Sequence, residues 1–165
     1  HNDYSLAIQF DSDGQHVANE IKTLLWSMAE SKADVVIGSR FISSFTGQFK
    51  SSFMRRLGIK LISLTTTLLT GKTIKDPTSG FRAFNGAAIK LFAHSYPVHF
   101  PEPESIILLH KNNLKVHEVS TLMNPRLGGR SSLEKKAFFY MINVLLGMIV
   151  SAMRPQEKYK SLDEV

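Results

Sequence analysis

The sequence predicts an α/β fold with a mostly parallel sheet, and three features of its first quarter support this. Residues 4–10 form a short apolar segment with the length and composition of a buried strand. Residues 18–31 repeat apolar side chains at helical spacing, and residues 34–40 form a second apolar strand. A strand, a helix and a strand joined by short connections make a βαβ unit, whose two strands run in parallel.

The later segments continue the alternation of helices and strands. Residues 54–70 are predicted to be helical, because Leu57, Leu61, Leu64 and Leu68 recur at helical spacing, and Gly71 is a natural helix stop. The pattern also predicts a turn at 76–82, a proline-rich open segment at 97–103, helices at 86–94 and 104–112, a strand at 115–122, a loop at 124–132 and a last helix at 133–153.

Composition and charge narrow the classes of function. The 165 residues contain no cysteine, which excludes a disulfide framework, a thiolate zinc site and a cysteine nucleophile. The net charge is +6, and the stretch between Asp34 and Asp76 holds no acid but seven lysines and arginines. Clustered positive charge indicates an anionic partner, although a solvated basic surface has the same appearance. The lack of an RNA-binding aromatic motif argues against a nucleic-acid partner.

Two acids follow the first predicted strand. In parallel α/β sheets, ligands collect where strands end, and Asp11 and Asp13 lie at such an end. Alternate residues of an extended segment point the same way, so both carboxylates can approach one cation, with the amide oxygen of Gln15 as a further donor. Oxygen ligands of this kind suit Mg²⁺ or Mn²⁺. The alternative is that one of the acids only caps the helix that follows.

Three kinds of site contain a similar string of residues. An EF-hand loop is excluded, because the positions that need glycine and glutamate hold His16 and Lys22. A haloacid-dehalogenase-like phosphatase stays as a lesser alternative, since Gln15 stands where that motif has threonine. The third kind is the Asp-x-Asp motif of nucleotide-sugar glycosyltransferases.

Four strings, taken together, favour the third kind. FDSDGQH, DVVIGSRF, DPTSGFRAFN and RLGGRSS occur in this order between residues 4 and 132. In combination they resemble family 2 glycosyltransferases of the GT-A fold, and within these the polyprenyl-phosphate sugar transferases. The resemblance implies an enzyme that transfers a sugar from a nucleoside-diphosphate donor to a polyprenyl phosphate or another membrane-associated acceptor, with inversion and with a divalent metal.

The resemblance begins at the central strand of that family's fold. The family's early strands, which bind the base and ribose of the donor, have no counterpart in the chain. We therefore expect residues 1–132 to be a partial GT-A catalytic domain, and residues 133–165 to be a separate C-terminal helix and polar tail. A truncated, non-catalytic binding module is the alternative reading.

The resemblance also implies roles for individual residues. The donor site would use Asp11, Asp13, Arg126 and Arg130, and the metal would be held by Asp11, Asp13 and Gln15. The acceptor site would use Arg40, Arg56, Thr78, Ser79 and Arg82. For the cationic residues, an ordinary salt bridge or a solvated surface is the competing interpretation.

Three acids are candidates for the catalytic groups. Asp76 lies among cations and should stay ionised. Inverting members place an acid at the start of a helix that faces the acceptor, and Glu102 and Glu104 both fit, with Glu104 preferred. An ionised phosphate acceptor needs little help from a base, so Glu104 can equally be a helix N-terminal acid.

In the last helix, 133–153, the segment 137–150 is apolar around most of its circumference, and Lys135 and Lys136 precede this segment. This pattern is typical of a helix that lies in a membrane interface, and packing on the catalytic domain or on another chain is the alternative. We therefore expect a protein that is peripheral to the membrane, at its cytoplasmic face.

Overall fold

A computed structural model of the chain describes residues 4–12, 14–42, 53–124 and 137–155, with the backbone alone for 53–55 and 137–138. These ranges contain four strands and five helices. The elements are β1 (Leu6–Gln9), α1 (Glu20–Ser31), β2 (Val35–Ser39), α2 (Phe53–Thr70), β3 (Arg82–Asn85), α3 (Gly86–Ser95), α4 (Pro101–Lys111), β4 (Val116–Ser120) and α5 (Ala137–Met153). Strands and helices alternate, except that α4 follows α3 directly. None of the described helices is long and apolar enough to cross a bilayer.

The four described strands form one mixed sheet in the order β1-β3-β2-β4. β2 and β4 are parallel, whereas β3 is antiparallel to both of its neighbours. β1 and β2 run in the same direction, as the βαβ pattern predicts, but β3 lies between them. The prediction of a mostly parallel sheet is therefore correct only in part, because two of the three strand pairings are antiparallel.

β3 was missed in the sequence because its four residues give no strand pattern. Arg82 and Asn85 are polar, and only Ala83 and Phe84 between them are apolar. The strand exists because both of its edges are paired, with Ile8 opposite Ala83 on one side and Val36 opposite Ala83 on the other. Pairing with neighbouring strands here outweighs local propensity.

β2 is the centre of the core, and all five of its residues are buried. Its side chains alternate between the two faces of the sheet. Val35 and Ile37 pack with residues of β3, α3 and α4, whereas Val36 packs with Leu24 of α1. The sheet is thus covered by helices on both faces, which explains why its central strand is apolar throughout.

α2, α4 and α5 share a further apolar cluster beside the sheet. Its buried members are Ile62, Ile107, Val144 and Met148. The leucine row that indicated α2 does not contribute to it, because Leu57, Leu64 and Leu68 are exposed on the opposite side of the helix. The core-facing residues of α2 are instead isoleucines and threonines.

The helix ends follow the expected backbone rules. Gly71 ends α2 with a φ of 68°, a left-handed conformation that glycine adopts without strain. α4 begins at Pro101, earlier than the predicted residue 104, because proline is tolerated in the first turn of a helix. Lys111 at the end of α4 donates from Nζ to the carbonyl oxygens of Ser151 and Ala152, which ties α4 to the end of α5.

Candidate functional site

Several of the predicted site residues gather at one edge of the sheet. β1, β2 and β4 end at this edge, and antiparallel β3 begins there. The edge therefore receives Asp11 after β1, Arg40 after β2, Thr121 after β4, and the loop 76–81 that leads into β3. Segments far apart in sequence meet in this way because the sheet aligns their ends.

Arg40 and Asp76 form a buried two-point ion pair at this edge. The guanidinium donates from Nε to Oδ2 of Asp76 at 2.6 Å and from Nη2 to Oδ1 at 2.7 Å. The backbone N–H of Arg40 also donates to Oδ2 at 3.2 Å. Asp76 is fully buried and Arg40 nearly so. Asp76 thus pairs with Arg40 at the end of β2, and not with Arg82, the arginine that follows in its own segment.

Thr78 and Ser79 have different positions beside this pair. The hydroxyl of Thr78 accepts from Nη2 of Arg40 at 3.2 Å and donates to Oδ1 of Asp76 at 3.2 Å. The hydroxyl of Ser79 is buried and donates to the carbonyl oxygen of Gly38 at 2.6 Å. Thr78 thus extends the ion pair toward the surface, whereas Ser79 anchors the loop to the end of β2.

Arg82 is 2% exposed and holds the same loop from below. Its guanidinium donates to the carbonyl oxygens of Ser79 at 2.7 Å and Pro77 at 2.9 Å, and to the hydroxyl of Ser105 at 2.7 Å. Burial lowers the pKa of Arg82 to about 10, and the negative charge of Glu102 partly opposes this. These contacts are those of a group that positions the loop.

Glu118 of β4 is a further anchor of this loop. Its two carboxylate oxygens accept from the backbone N–H groups of Lys75 at 2.8 Å and Asp76 at 2.6 Å. Nothing in the sequence indicated this role, because 42 residues separate Glu118 from Asp76. The one feature of the sequence that distinguishes Glu118 is that it is a lone acid in an otherwise uncharged strand.

Asp11 meets the loop 76–81 at Gly80. A Cβ placed on Gly80 would lie 2.8 Å from Oδ2 of Asp11, so only glycine allows this carboxylate to lie where it does. The Asp11 side chain remains about half exposed, at 51%. The structure therefore places the acid after β1 directly against the loop that holds the Arg40–Asp76 pair.

His16 packs beneath Asp11. Its ring contacts Phe81 with the ring centroids 4.9 Å apart, and its Nε2 lies 3.4 Å from Oδ2 of Asp11. The preceding Gln15 is buried, and its carbonyl oxygen accepts from the backbone N–H of Asn124. The segment after β1 thus crosses the sheet edge and reaches the end of β4.

The donor atoms around Asp11 fit a divalent cation in part. Asp11 offers an accessible carboxylate, whereas Gln15, four residues later, is buried, and Asp13 lies outside the described residues. Within the described ranges no three histidine, aspartate or glutamate side chains converge as a metal site. The ligand set Asp11, Asp13 and Gln15 stays a prediction.

The two candidate catalytic glutamates have different environments. Glu104 is buried under α5, and its Oε1 accepts from the backbone N–H of Phe100 at 3.2 Å. A Cβ on Gly147 of α5 would lie 3.1 Å from this oxygen. Glu104 therefore caps the start of α4, as the structural alternative predicts. Glu102 is half-buried, and its charge reaches Arg82.

The remaining predicted residues are separate from this cluster or outside the description. Arg56 is exposed on α2. Arg126 and Arg130 lie outside the described residues, as does the division between residues 132 and 133. Their assigned roles stay predictions.

Comparison with known proteins adds independent evidence. No protein-family profile matches the chain. The UDP-N-acetylglucosamine–dolichyl-phosphate N-acetylglucosaminyltransferase of Methanococcus voltae is 27% identical over 153 residues, which are 88% of this chain and 60% of the relative. The polyprenol monophosphomannose synthase of Mycolicibacterium smegmatis is 34% identical over 82 residues, 49% of this chain and 30% of that protein.

A third relative, an uncharacterized protein of Methanocaldococcus jannaschii, is 32% identical over 120 residues, which are 69% of this chain and 47% of that protein. The chain thus spans about half the length of the relatives it matches. Two of these relatives have names that state an activity, and both names describe sugar transferases that act on polyprenyl-type phosphates. The resemblance expected from the four sequence strings is confirmed, because the chain is similar to a dolichyl-phosphate N-acetylglucosaminyltransferase and a polyprenol monophosphomannose synthase, both of them family 2 glycosyltransferases.

Proposed function

We propose that this chain contributes the metal-binding and acceptor-binding part of a glycosyltransferase that moves a sugar from a nucleoside diphosphate to a polyprenyl phosphate. The observation that supports it best is the contact between Asp11 and Gly80. It sets a solvent-accessible carboxylate beside a loop whose buried Asp76 fixes the guanidinium of Arg40. A carboxylate that can bind a cation and a guanidinium that can donate hydrogen bonds to a phosphate thereby lie on adjoining segments.

Asp11, Asp13 and Gln15 would hold Mg²⁺ or Mn²⁺ against the donor diphosphate. When bound, the cation stabilises the charge that develops on the leaving nucleoside diphosphate. Oxygen donors of this type match the preference of both ions. Arg126 and Arg130 would contact the same diphosphate from their loop.

Arg40 would recognise the phosphate of the acceptor. Asp76 neutralises the charge of the Arg40 guanidinium, so Arg40 would contribute directed hydrogen bonds more than net charge. Thr78 adds a hydroxyl at the outer side of the pair. Arg82 and Ser79 would act indirectly, because their polar groups are used to shape the loop. Arg56 would add positive charge from α2.

The reaction itself needs little from a general base. An ionised oxygen of the acceptor phosphate attacks the anomeric carbon and forms the new carbon–oxygen bond, while the bond from that carbon to the donor diphosphate breaks. The phosphate oxygen carries no proton that must be removed. Glu104 accepts a hydrogen bond at the start of α4. This structural position is consistent with such a reaction, because the reaction does not need Glu104 as a general base.

The direct test is a transfer assay with the protein at the full length that its gene encodes. We expect sugar transfer from a nucleotide-sugar to a polyprenyl phosphate in Mn²⁺ or Mg²⁺, and no transfer in EDTA. Asp13→Asn should lower turnover by orders of magnitude with little change in folding. Full activity in EDTA would contradict the metal role, and no transfer from any nucleotide-sugar would favour the non-catalytic binding module.

The acceptor assignment has its own kinetic test. Arg40→Ala should raise the KM for the polyprenyl phosphate more than the KM for the nucleotide-sugar. Lys90→Ala, which removes an exposed cation from α3, is the matched control. Equal effects of Arg40→Ala on both substrates would place Arg40 on the donor side.

A further inference from the structure

The ring of His16 contains a buried nitrogen whose hydrogen-bonding capacity is unused. The His16 side chain is 6% exposed, and its Nδ1 has no hydrogen-bonding partner among the residues that the structure describes. Buried polar atoms are nearly always hydrogen-bonded, because a polar atom that is shut off from water and left unpaired lowers stability. Packing alone therefore does not explain a histidine at this position.

The surroundings of the His16 ring are aromatic and apolar. Its centroid lies 4.9 Å from that of Phe81 and 5.6 Å from that of Phe10. Phe10 and Phe81 meet edge to face, with their centroids 5.6 Å apart. Phe81 is fully buried in the apolar cluster that includes Leu24 and Val36. A phenylalanine at position 16 would suit these neighbours and would leave no polar atom unpaired.

The second ring nitrogen of His16 faces Asp11. Nε2 lies 3.4 Å from Oδ2 of the carboxylate. A proton on Nδ1 would be a buried donor without an acceptor among the described residues. The neutral ring should therefore carry its proton on Nε2, from which it donates to Asp11. The unpaired Nδ1 is thus the consequence of a ring orientation that aims Nε2 at the carboxylate.

The backbone fixes the direction from which His16 approaches. His16 forms an isolated antiparallel bridge with Met123, and the carbonyl oxygen of Gln15 accepts from the backbone N–H of Asn124 at 2.8 Å. The segment after β1 is thereby attached to the segment after β4. A shift of the His16 ring would disturb this attachment or the aromatic contacts, so Nε2 is held in place as a donor.

Asp11 has two neighbours that restrict its carboxylate. Gly80 approaches closely, since a Cβ on it would lie 2.8 Å from Oδ2 and 3.2 Å from Oδ1. His16 contacts Oδ2, whereas no described residue is hydrogen-bonded to Oδ1. The Asp11 side chain is nevertheless half exposed. The hydrogen bond from His16 therefore occupies Oδ2 and leaves Oδ1 as the oxygen that can bind a cation.

We propose that His16 is a positioning residue for the cation site, in which Nε2–H holds the Asp11 carboxylate in the orientation that presents Oδ1 to a divalent cation. The inference rests on the proposed function, which assigns the cation to Asp11, and it adds a residue that does not itself contact the cation. A hydrogen-bonding partner behind a metal ligand fixes the orientation of the ligand, and its loss typically lowers metal affinity by about 10- to 100-fold.

His16→Phe separates this positioning role from packing. The variant keeps an aromatic ring against Phe81 but removes the donor to Asp11. We expect its Mn²⁺ affinity, measured by calorimetry, to fall about tenfold or more. Its melting temperature should equal or exceed that of the unchanged chain, because the unpaired nitrogen is gone. A loss of affinity without a loss of stability does not come from a damaged fold.

His16→Gln is the rescue variant. The amide nitrogen of glutamine is as many bonds from Cβ as Nε2 of histidine is, so it should restore part of the Mn²⁺ affinity. His16→Leu has no donor and should not restore it, and this comparison decides the question if His16→Phe does not fold. His110→Phe makes the same substitution at the exposed end of α4 and should leave affinity and melting temperature unchanged.

Nitrogen-15 NMR tests the hydrogen bond in the absence of any cation. At a pH at which the His16 ring is neutral, a long-range proton–nitrogen spectrum distinguishes its two tautomers. We expect the proton on Nε2, and a change in the Nε2 signal in Asp11→Asn that the ring of His110 does not share. A proton on Nδ1 would overturn the proposal, because Nε2 would then have nothing to donate.

The calorimetric outcomes distinguish this proposal from the proposed function. Mn²⁺ binding that Asp11→Asn abolishes but His16→Phe leaves unchanged would overturn the role of His16 and retain the cation site. Mn²⁺ binding that depends on His16, in a protein without any sugar transfer, would uphold the positioning role and contradict the function. No Mn²⁺ binding by the unchanged chain would contradict both.

Discussion

Arg40 and Asp76 are 36 residues apart in sequence and make a two-point ion pair with distances of 2.6 and 2.7 Å at the edge of the sheet. The pair joins the end of β2 to the loop that leads into β3. Both side chains are buried, so each charge depends on the other for compensation. The pair therefore has a structural role and a proposed phosphate-binding role at once.

Separate removal of the two partners should reveal this dependence. Arg40→Ala and Asp76→Ala should each lower the free energy of unfolding by about 3–5 kcal/mol, because each leaves a buried charge without its partner. The double variant should lose clearly less than the sum of the single losses. Urea unfolding of the four proteins measures this, and strict additivity would show that the pair is not coupled.

Gly80 gives a test of the contact with Asp11. Gly80→Ala should displace the Asp11 carboxylate, since the new Cβ would lie 2.8 Å from its Oδ2. We expect weaker Mn²⁺ binding, measured by calorimetry, with a change in stability of at most about 1 kcal/mol. Gly86→Ala is the control, because its nearest atom would be 3.7 Å away. Equal metal affinity in both variants would show that the Gly80 contact does not position Asp11.

Glu118 should be necessary for the loop that carries Asp76. Glu118→Gln retains only one acceptor oxygen for two backbone N–H groups and removes the charge from both hydrogen bonds. We expect the free energy of unfolding to fall by about 1–3 kcal/mol. Glu30→Gln, at an exposed site of α1, should have almost no effect. A Glu118 variant as stable as the Glu30 variant would contradict the anchoring role.

Glu102 should control the ionisation of two tyrosines. The pKa values of Tyr96 and Tyr140 are raised, first by burial and then by the negative charge of Glu102. Glu102→Gln should lower both pKa values, yet leave them above the ordinary value because the burial remains. Ultraviolet absorbance of tyrosinate during an alkaline titration measures the shift. If the pKa values of both tyrosines are the same in Glu102→Gln as in a Glu20→Gln control, Glu102 does not act on either ring.

The sequence predicted the elements with strong local patterns. α1, β2, α3 and β4 were found within a few residues of their observed ends, because their apolar spacing is regular. The order of the strands was not predictable in the same way. β3 holds only two apolar residues, and its place between β1 and β2 is fixed by hydrogen bonds to segments far away in sequence.

The site was predictable in its residue types but not in its pairing. Asp11, Arg40 and Asp76 were identified from their motifs, and the structure brings their segments together. The ion pair between Arg40 and Asp76 depends on tertiary packing, which the spacing of residues does not encode. The burial of Arg82 below the loop depends on it as well. The orientation of α2 was also hidden, since its leucine row and its buried row both have helical periodicity.

The most direct test of the account is calorimetry of the 165-residue chain with pyrophosphate, UDP and GDP, each with and without Mn²⁺. We expect Mn²⁺-dependent binding of pyrophosphate that Asp11→Asn abolishes, with UDP and GDP bound no more tightly than pyrophosphate, because the site proposed here contacts the diphosphate and not the base. Diphosphate binding that needs no metal, or that survives Asp11→Asn unchanged, would contradict the central claim that the segment after β1 is the metal-dependent diphosphate site.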